Sequence, residues 1–446
     1  MSQLSKREFL TSVVQAAGVL TAAEVLAAPR GQAAPHEASR LVDYFASKAR
    51  LLLREPGGHL KFPSISPTLP RSQYSTELWD WDTMWTTRGL FQVARLTQDS
   101  GLRDDVAAHA RGSLANFFDH QSPEGRIPML ITVDNPDPLG CLKGGRPNPR
   151  NQAKPVLAQL ALLVADATGH IHWFAPWFDR LRRFYDSWTQ DNLTAAGLLV
   201  WGNDVAIGND NDPTTFGRPE FSSANLLLNC LYYSDVKAAA EIARRLGQAE
   251  WQTTFTARLE PLARAIQAQS WDPRDRFFYT VDVQCRDRRA ELIPNIARGM
   301  DMSWQTVPLR IQTFTGFLPM WCGIATAAQA QALRERSLDP GTFHCRAGVR
   351  SMSAAETMYD LRASTNPSNW LGPVWIVVNY FVWRGLKDYG FHAEAADLSA
   401  RTARLLSEDL AVSGSLNEYY HPDTGGAISH RGFMNWNLLV LEMLDA

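Results

Sequence analysis

Cysteine is scarce and unpatterned in this chain. The five residues, Cys141, Cys230, Cys285, Cys322 and Cys345, show no C-x-x-C spacing, and an odd number cannot all pair within one chain. They read as mostly buried thiols, with no metal site. An excess of one charge is also lacking, with 44 Lys and Arg against 46 Asp and Glu. Without a sustained basic stripe, nothing supplies the field that a phosphate backbone needs, so nucleic acid is not expected as a partner. Strand-like alternation is scarce, and no fixed-period repeat or low-complexity linker is visible. The N-terminal apolar stretch carries Glu24, which argues against a permanent membrane span of roughly 20 apolar residues.

What is present is a globular composition, 45% hydrophobic and 20% charged over 446 residues, enough for one large core. Residues 1–35 differ from the rest. Ser5-Lys6-Arg7-Glu8-Phe9-Leu10 precedes an Ala/Val/Leu stretch and the small-residue options Ala27-Ala28-Pro29 and Ala33-Ala34-Pro35, which reads as an export signal. S-K-R-x-F-L is similar to the twin-arginine signal with lysine in the first basic place, and the general secretory route stays open. An ordinary amphipathic helix is the bland alternative. The protein is expected to be exported, periplasmic or extracellular, with residues 36–446 as one catalytic domain.

After the signal, apolar residues recur at helical spacing over Asp105 to Phe118, Pro155 to Ala167, Ala224 to Leu246, Trp251 to Ala268, Val374 to Leu386 and Phe391 to Leu406. Loops rich in Gly, Pro, Asn and Asp separate them and carry the polar chemistry. About a dozen helices are expected, an all-α count that fits six helical hairpins closed into a ring.

Two acidic loops stand out. Gly208-Asn209-Asp210-Asn211-Asp212-Pro213 puts two aspartates in a tight turn, where mutual repulsion would keep one proton bound at higher pH; a turn built only of residues that bond their own backbone is the alternative. Asn417-Glu418-Tyr419-Tyr420-His421-Pro422-Asp423-Thr424-Gly425 sets a glutamate beside aromatics, with Asp423 as a turn residue. Two separated carboxyl groups are what cleavage of a glycosidic bond requires: one protonates the leaving oxygen, and the other activates water or attacks carbon. Fifteen tryptophans add flat apolar faces of the kind sugars pack against. Trp81, Trp85, Trp370 and Trp375 sit next to polar loop residues, although the i, i+4 spacing of Trp81 and Trp85 also suits simple helix packing. Asp82, flanked by bulky aromatics, needs a partner or a ligand.

Together these segments resemble glycoside hydrolase family 63 and its mannosylglycerate hydrolase relatives, and more distantly the trehalases. The likeness is carried by W-D-T-M-W-T-T-R-G-L from Trp81 to Leu90, N-Q-A-K-P-V from Asn151 to Val156, the G-x-D-N loop, W-x-G-P-V-W from Trp370, and N-E-Y-Y-H-P-D-T-G. It implies an (α/α)6 barrel and an inverting glycosidase, without a metal or organic cofactor, in which Asp210 is the general acid and Glu418 the general base. Asp82 would grip sugar hydroxyls. The candidate substrate contacts are Trp81, Asp82, Trp85, Gln152, Asp212, Trp370, Trp375 and Tyr419. The chain departs from the family where Val205-Ala206-Ile207-Gly208 stands for W-E-S-G, Asn369-Trp370-Leu371-Gly372 for Y-W-R-G, and Lys154 for the first proline of S-Q-P-P. Lys154 is expected to face solvent rather than a substrate carboxylate.

The expected substrate is a small carbohydrate, a short α-linked glucoside or mannoside. A trehalase-like hydrolase, a sugar epimerase or polysaccharide lyase using His421, His430 and the adjacent tyrosines, and a glycan-binding protein without turnover are the alternatives.

Overall fold

The computed structural model describes residues 35–143, 151–284, 304–362 and 368–445. All of the segment read as an export signal except Pro35, and Cys285, lie outside the described residues. Among the described residues no helix is long and apolar enough to cross a membrane.

Among the described residues twelve α-helices dominate: α1 Pro35–Lys48, α2 Asp80–Leu96, α3 Ser100–Asp119, α4 Leu157–Thr168, α5 Phe178–Asn192, α6 Leu226–Arg245, α7 Ala249–Ser270, α8 Leu318–Trp321, α9 Ala327–Ser337, α10 Ile376–Asp388, α11 His392–Ser413 and α12 Val440–Leu444. Each segment with helical spacing in the sequence falls in one of them, its ends displaced by two turns at most. Local chemistry sets several starts. The Asp99 carboxylate accepts from the Leu102 N–H (2.8 Å) ahead of α3, the Asn225 amide oxygen from the Leu227 N–H (2.8 Å) ahead of α6, and Thr326 with Gln329 forms a reciprocal capping box at α9. Strands are two or three residues long and serve as clips between loops.

The helices form two concentric layers. In the inner one, α2 packs on α4, α4 on α6, α6 on α8 and α8 on α10. The sixth inner element is a 3-10 turn, Trp436–Leu439, running into α12; it packs on α10 and back on α2, closing the ring. Outside, α3 lies against α2 and α4, α7 against α6, α9 against α8 and α10, and α11 against α10 and α12. The outer partner of the sixth inner element is α1, so the two ends of the described chain make one hairpin. Tyr185 of α5 reaches Asp235 of α6 with a 2.7 Å hydrogen bond. This is an (α/α)6 barrel. Burial follows the layers: α10 is buried on every side from Ile376 to Trp383, whereas α5 buries Phe178, Leu181, Tyr185 and Trp188 along one stripe.

Ring closure depends on a close approach at Gly89 of α2, where an added Cβ would sit 2.2 Å from Leu438 Cβ. Alanine is the better helix former by about 1 kcal/mol, but overpacking a rigid interface costs about 1–3 kcal/mol. Gly89→Ala is therefore expected to lower the midpoint of denaturant unfolding; an unchanged or raised midpoint would mean that this contact does not constrain the ring.

Candidate active site

A cavity of about 160 Å³ lies at the end of the ring where the inner helices begin. Its walls come from the residues that precede or open inner helices: Trp79, Trp81 and Asp82 at the start of α2, Lys154 before α4, Gly208 and Asp210 before α6, Trp370 and Trp375 before α10, and Glu418 and Trp436 before and within the sixth inner element. The positive ends of helix dipoles thus gather around a site rich in carboxyl groups.

The acid loop is fixed from behind. Asp212 accepts from Asn209 Nδ2 (2.6 Å) and from the Thr214 N–H (2.8 Å), and Asn211 Oδ1 accepts from the Trp370 N–H (2.7 Å). Asp210 is left pointing into the cavity. Gly208 permits this with φ 102°, since a Cβ there would meet Trp81 at 2.9 Å and Lys154 at 3.1 Å. The opposite loop is clipped in the same way. Tyr419–Tyr420 pairs with Ala427–Ser429, the Glu418 N–H donates to the Ser429 carbonyl (2.9 Å), and Tyr420 and Val374 exchange backbone hydrogen bonds of 2.8 and 2.9 Å. That last clip ties Glu418 to the tryptophan wall. Trp436 Nε1 donates to the Glu418 carbonyl (3.1 Å). The wall is a stack: Trp370 on Trp375 at 3.9 Å between centroids and Trp375 on Tyr419 at 4.4 Å.

Under the cavity lies a buried ion pair. Lys154 Nζ is 2.9 Å from Asp80 Oδ1, its backbone N–H donates to Asp80 Oδ2 (2.5 Å), and the ammonium sits 5.5 Å from the Trp81 ring centroid. Lys154 is 1% exposed, so the expectation of a solvent-facing lysine is corrected: Asp80 pairs with its charge where water is excluded.

Asp210, Glu418, Trp81, Asp82, Trp370 and Trp375 thus share one cavity. Four other candidates do not line it. Trp85 lies one helical turn deeper than Trp81, in the barrel core against Phe381 (5.4 Å) and Tyr380 (5.9 Å). Gln152 is fully buried and accepts from Ser187 of α5 (3.1 Å). Asp212 is consumed by its own loop, and Tyr419 stacks behind Trp375. Tyr74, Trp79, Ser368 and Trp436 line the cavity without having been named as contacts. Trp436, flanked by Asn435 and Asn437, carried the same aromatic-beside-polar signal as Trp370; Tyr74 and Ser368 carried none.

Burial raises the proton affinity of Asp82, Asp210, Asp212 and Glu418. Asp82 is pushed up to about 8 by burial, with Asp80 and Glu418 adding and Lys154 opposing; Asn435 Nδ2 donates to it. Asp210 is raised by burial, against the Lys154 charge, the Ser368 hydroxyl and the Gly208 backbone. Repulsion from Asp212 is not among the causes, which corrects the sequence argument: Asp212, itself raised by burial to about 6, faces away. Glu418 is raised by burial and by Asp210, with His430 opposing. Among the described residues no cluster of three or more His, Cys, Asp or Glu side chains is placed to hold a metal ion.

Comparison with known proteins gives consistent results. A family model described as the mannosylglycerate hydrolase MGH1-like glycoside hydrolase domain matches residues 78–436. A mannosylglycerate hydrolase of Thermus thermophilus is 32% identical over 143 residues, 31% of this chain and 31% of the relative, so the aligned part spans about a third of that protein. The crystal structure of a GH63 mannosylglycerate hydrolase from Thermus thermophilus in complex with glucose superposes with a TM-score of 0.63 at 19% identity, covering 91% of this chain and 98% of that one. The neutral trehalase Nth1 of Saccharomyces cerevisiae superposes with a TM-score of 0.57 at 16% identity, covering 91% and 80%. These two likenesses establish the shared fold.

A carboxyl group whose proton affinity is higher folded than unfolded binds an extra proton in the native state, so stability falls as pH rises from the unfolded value near 4 toward the folded one. For Asp82 that window ends at about 8. Asp82→Asn, which still accepts from Asn435, is expected to flatten the decline of unfolding free energy between pH 4 and 8 and to be relatively most stable at the alkaline end. An unchanged slope would mean that Asp82 is ionised in the cavity.

Proposed function

Because the chain belongs to the mannosylglycerate hydrolase MGH1-like glycoside hydrolase family, we propose that it is an exported inverting glycosidase acting on a short α-linked glucoside or mannoside, with Asp210 as general acid and Glu418 as general base. The observation that carries this reading is the convergence of two carboxyl groups, from loops two hundred residues apart in sequence, on one tryptophan-lined cavity.

In this mechanism the sugar lies with its C–H faces against the indoles of Trp370 and Trp81. Asp210, whose hold on a proton burial strengthens, gives that proton to the glycosidic oxygen as the bond to the anomeric carbon breaks. A water on the opposite face of the ring attacks that carbon and passes a proton to Glu418, so the configuration inverts and both carboxyl groups exchange protonation states. Asp82, protonated near neutral pH, donates a hydrogen bond to a sugar hydroxyl and adds no further negative charge. No step needs a metal or organic cofactor.

Two observations weigh against an epimerase or lyase. The His421 ring nitrogen accepts from the Asp423 N–H (3.2 Å) in its own turn, and His430 is bound to Glu418; neither is poised to take a proton from carbon. Export is supported by the S-K-R-x-F-L segment, and the described cysteines, all buried free thiols, suit a chain that folds before it crosses a membrane.

The test is turnover of a panel of α-mannosides and α-glucosides, including glycerate conjugates and trehalose, by wild type, Asp210→Asn and Glu418→Gln. Each substitution is expected to lower kcat/KM by about 10²–10⁴-fold while ligand-induced quenching of tryptophan fluorescence persists. Activity in either variant within a few-fold of wild type would remove that residue from its role, and binding without turnover by wild type would favour a glycan-binding protein.

A further inference from the structure

We infer that His430 is a positioning residue for the general base: its imidazole orients the Glu418 carboxylate and keeps it ionised, so that it can take a proton from water. The inference rests on the reading of Glu418 as base.

Three features of the geometry lead to it. His430 Nδ1 is hydrogen bonded to Glu418 Oε2, with Ser429 Oγ 3.1 Å from the same nitrogen. The hairpin builds this contact: because the Glu418 N–H donates to the Ser429 carbonyl, the next residue is delivered beside the glutamate. His430 takes up its place with φ 46°, a left-handed conformation that is costly for a non-glycine residue and persists where the surroundings enforce it. Finally, Tyr74 from the loop before α2 holds the imidazole edge-on at 5.3 Å, and Tyr74 also has a positive φ of 68°. Two strained residues from distant parts of the chain thus meet beside the base.

The surrounding charges give the contact its purpose. Glu418 shares the cavity with Asp210 and Asp82 and with the Tyr74 hydroxyl, and Lys154 is engaged by Asp80 below. Burial favours the protonated, useless form of Glu418, and so does Asp210 whenever it has lost its proton; His430 is the neighbour that favours the ionised one. The pairing is reciprocal, because the bond to Glu418 raises the proton affinity of His430 against burial. During turnover the water proton goes to Glu418 and His430 keeps its Nδ1 proton.

The experiment uses the mature wild-type protein, His430→Ala, His430→Asn and Glu418→Gln. Kinetics on the substrate identified by the panel are expected to place the acidic limb of kcat/KM about one pH unit higher in His430→Ala, a roughly tenfold loss at any pH on that limb. Asparagine can donate the same hydrogen bond and tolerates the left-handed backbone but carries no charge, so His430→Asn is expected to regain most activity above the limb and to bring the limb part of the way back. A residue that only holds the loop together would lower activity evenly at all pH values, and that result, or a His430→Ala profile superimposed on wild type, would overturn the proposal. A ¹H–¹³C NMR titration of the histidines reads the pair without turnover: His430 is expected to titrate above the ordinary histidine value in wild type and to fall back in Glu418→Gln, and identical titration in both would equally overturn it. A coupled titration in a wild type that hydrolyses no member of the panel would instead overturn the hydrolytic reading of both residues, leaving only an ion pair.

Discussion

The site rests on the ion pair of Lys154 with Asp80. Among the described residues Lys154 is the one lysine or arginine lining a cavity that also presents Asp82, Asp210 and Glu418, and it is buried with its partner at 2.9 Å. Burial alone favours the protonated form of these three acids. The lysine charge reaches beyond Asp80 and pulls Asp82 and Asp210 back toward ionisation, so the proton affinity of the proposed acid is set by a contest between a low-dielectric wall and one ammonium group. At an effective dielectric near 20, two unit charges about 4 Å apart interact by about 4 kcal/mol, comparable to what burial takes away. Breaking such a pair leaves a lone charge in the interior, which costs about 3–5 kcal/mol; the same contact therefore serves the fold and the chemistry.

The barrel makes this balance possible by sending one end of five of its six inner elements to the same place. Residues that begin α2, α4, α6, α10 and the final 3-10 turn meet at the cavity although they are spread over more than three hundred and fifty positions. Side chains one turn further along those helices drop into the core. Trp81 and Trp85 illustrate the rule: four residues of helix carry the second ring about 6 Å away from the cavity. The loops that hold Asp210 and Glu418 are fastened to the tryptophan wall by Asn211 and by the Val374–Tyr420 clip, so the two carboxyl groups and the stacked tryptophans are held as one unit.

Much of the architecture was legible in the sequence because inner and outer helices both repeat apolar residues at helical spacing, and the all-α count follows from that. The two acidic loops were legible because Gly, Asn, Asp and Pro cluster where the chain must turn. Within a loop, however, composition does not say which side chain turns inward: Asp210 and Asp212 are equivalent by sequence, and only the hydrogen bonds from Asn209 and Thr214 show that Asp212 is spent on the turn. Lys154 was misplaced for a related reason, since its partner Asp80 is seventy-four residues away and a lysine in a loop ordinarily finds water. Gln152 and Tyr419 belong to segments that do border the site, but they face its supporting layer. His430 gave no spacing signal at all, because its link to Glu418 comes from hairpin register.

The central claim, that Asp210 and Glu418 act from opposite sides of one sugar ring, is tested most directly by the stereochemistry of the first product. A ¹H NMR time course of the purified protein with the α-linked substrate it turns over is expected to show the β anomer appearing first and the α anomer only by mutarotation. Initial release of the α anomer would contradict the account, because retention requires a covalent intermediate and a carboxyl pair too close to admit the attacking water.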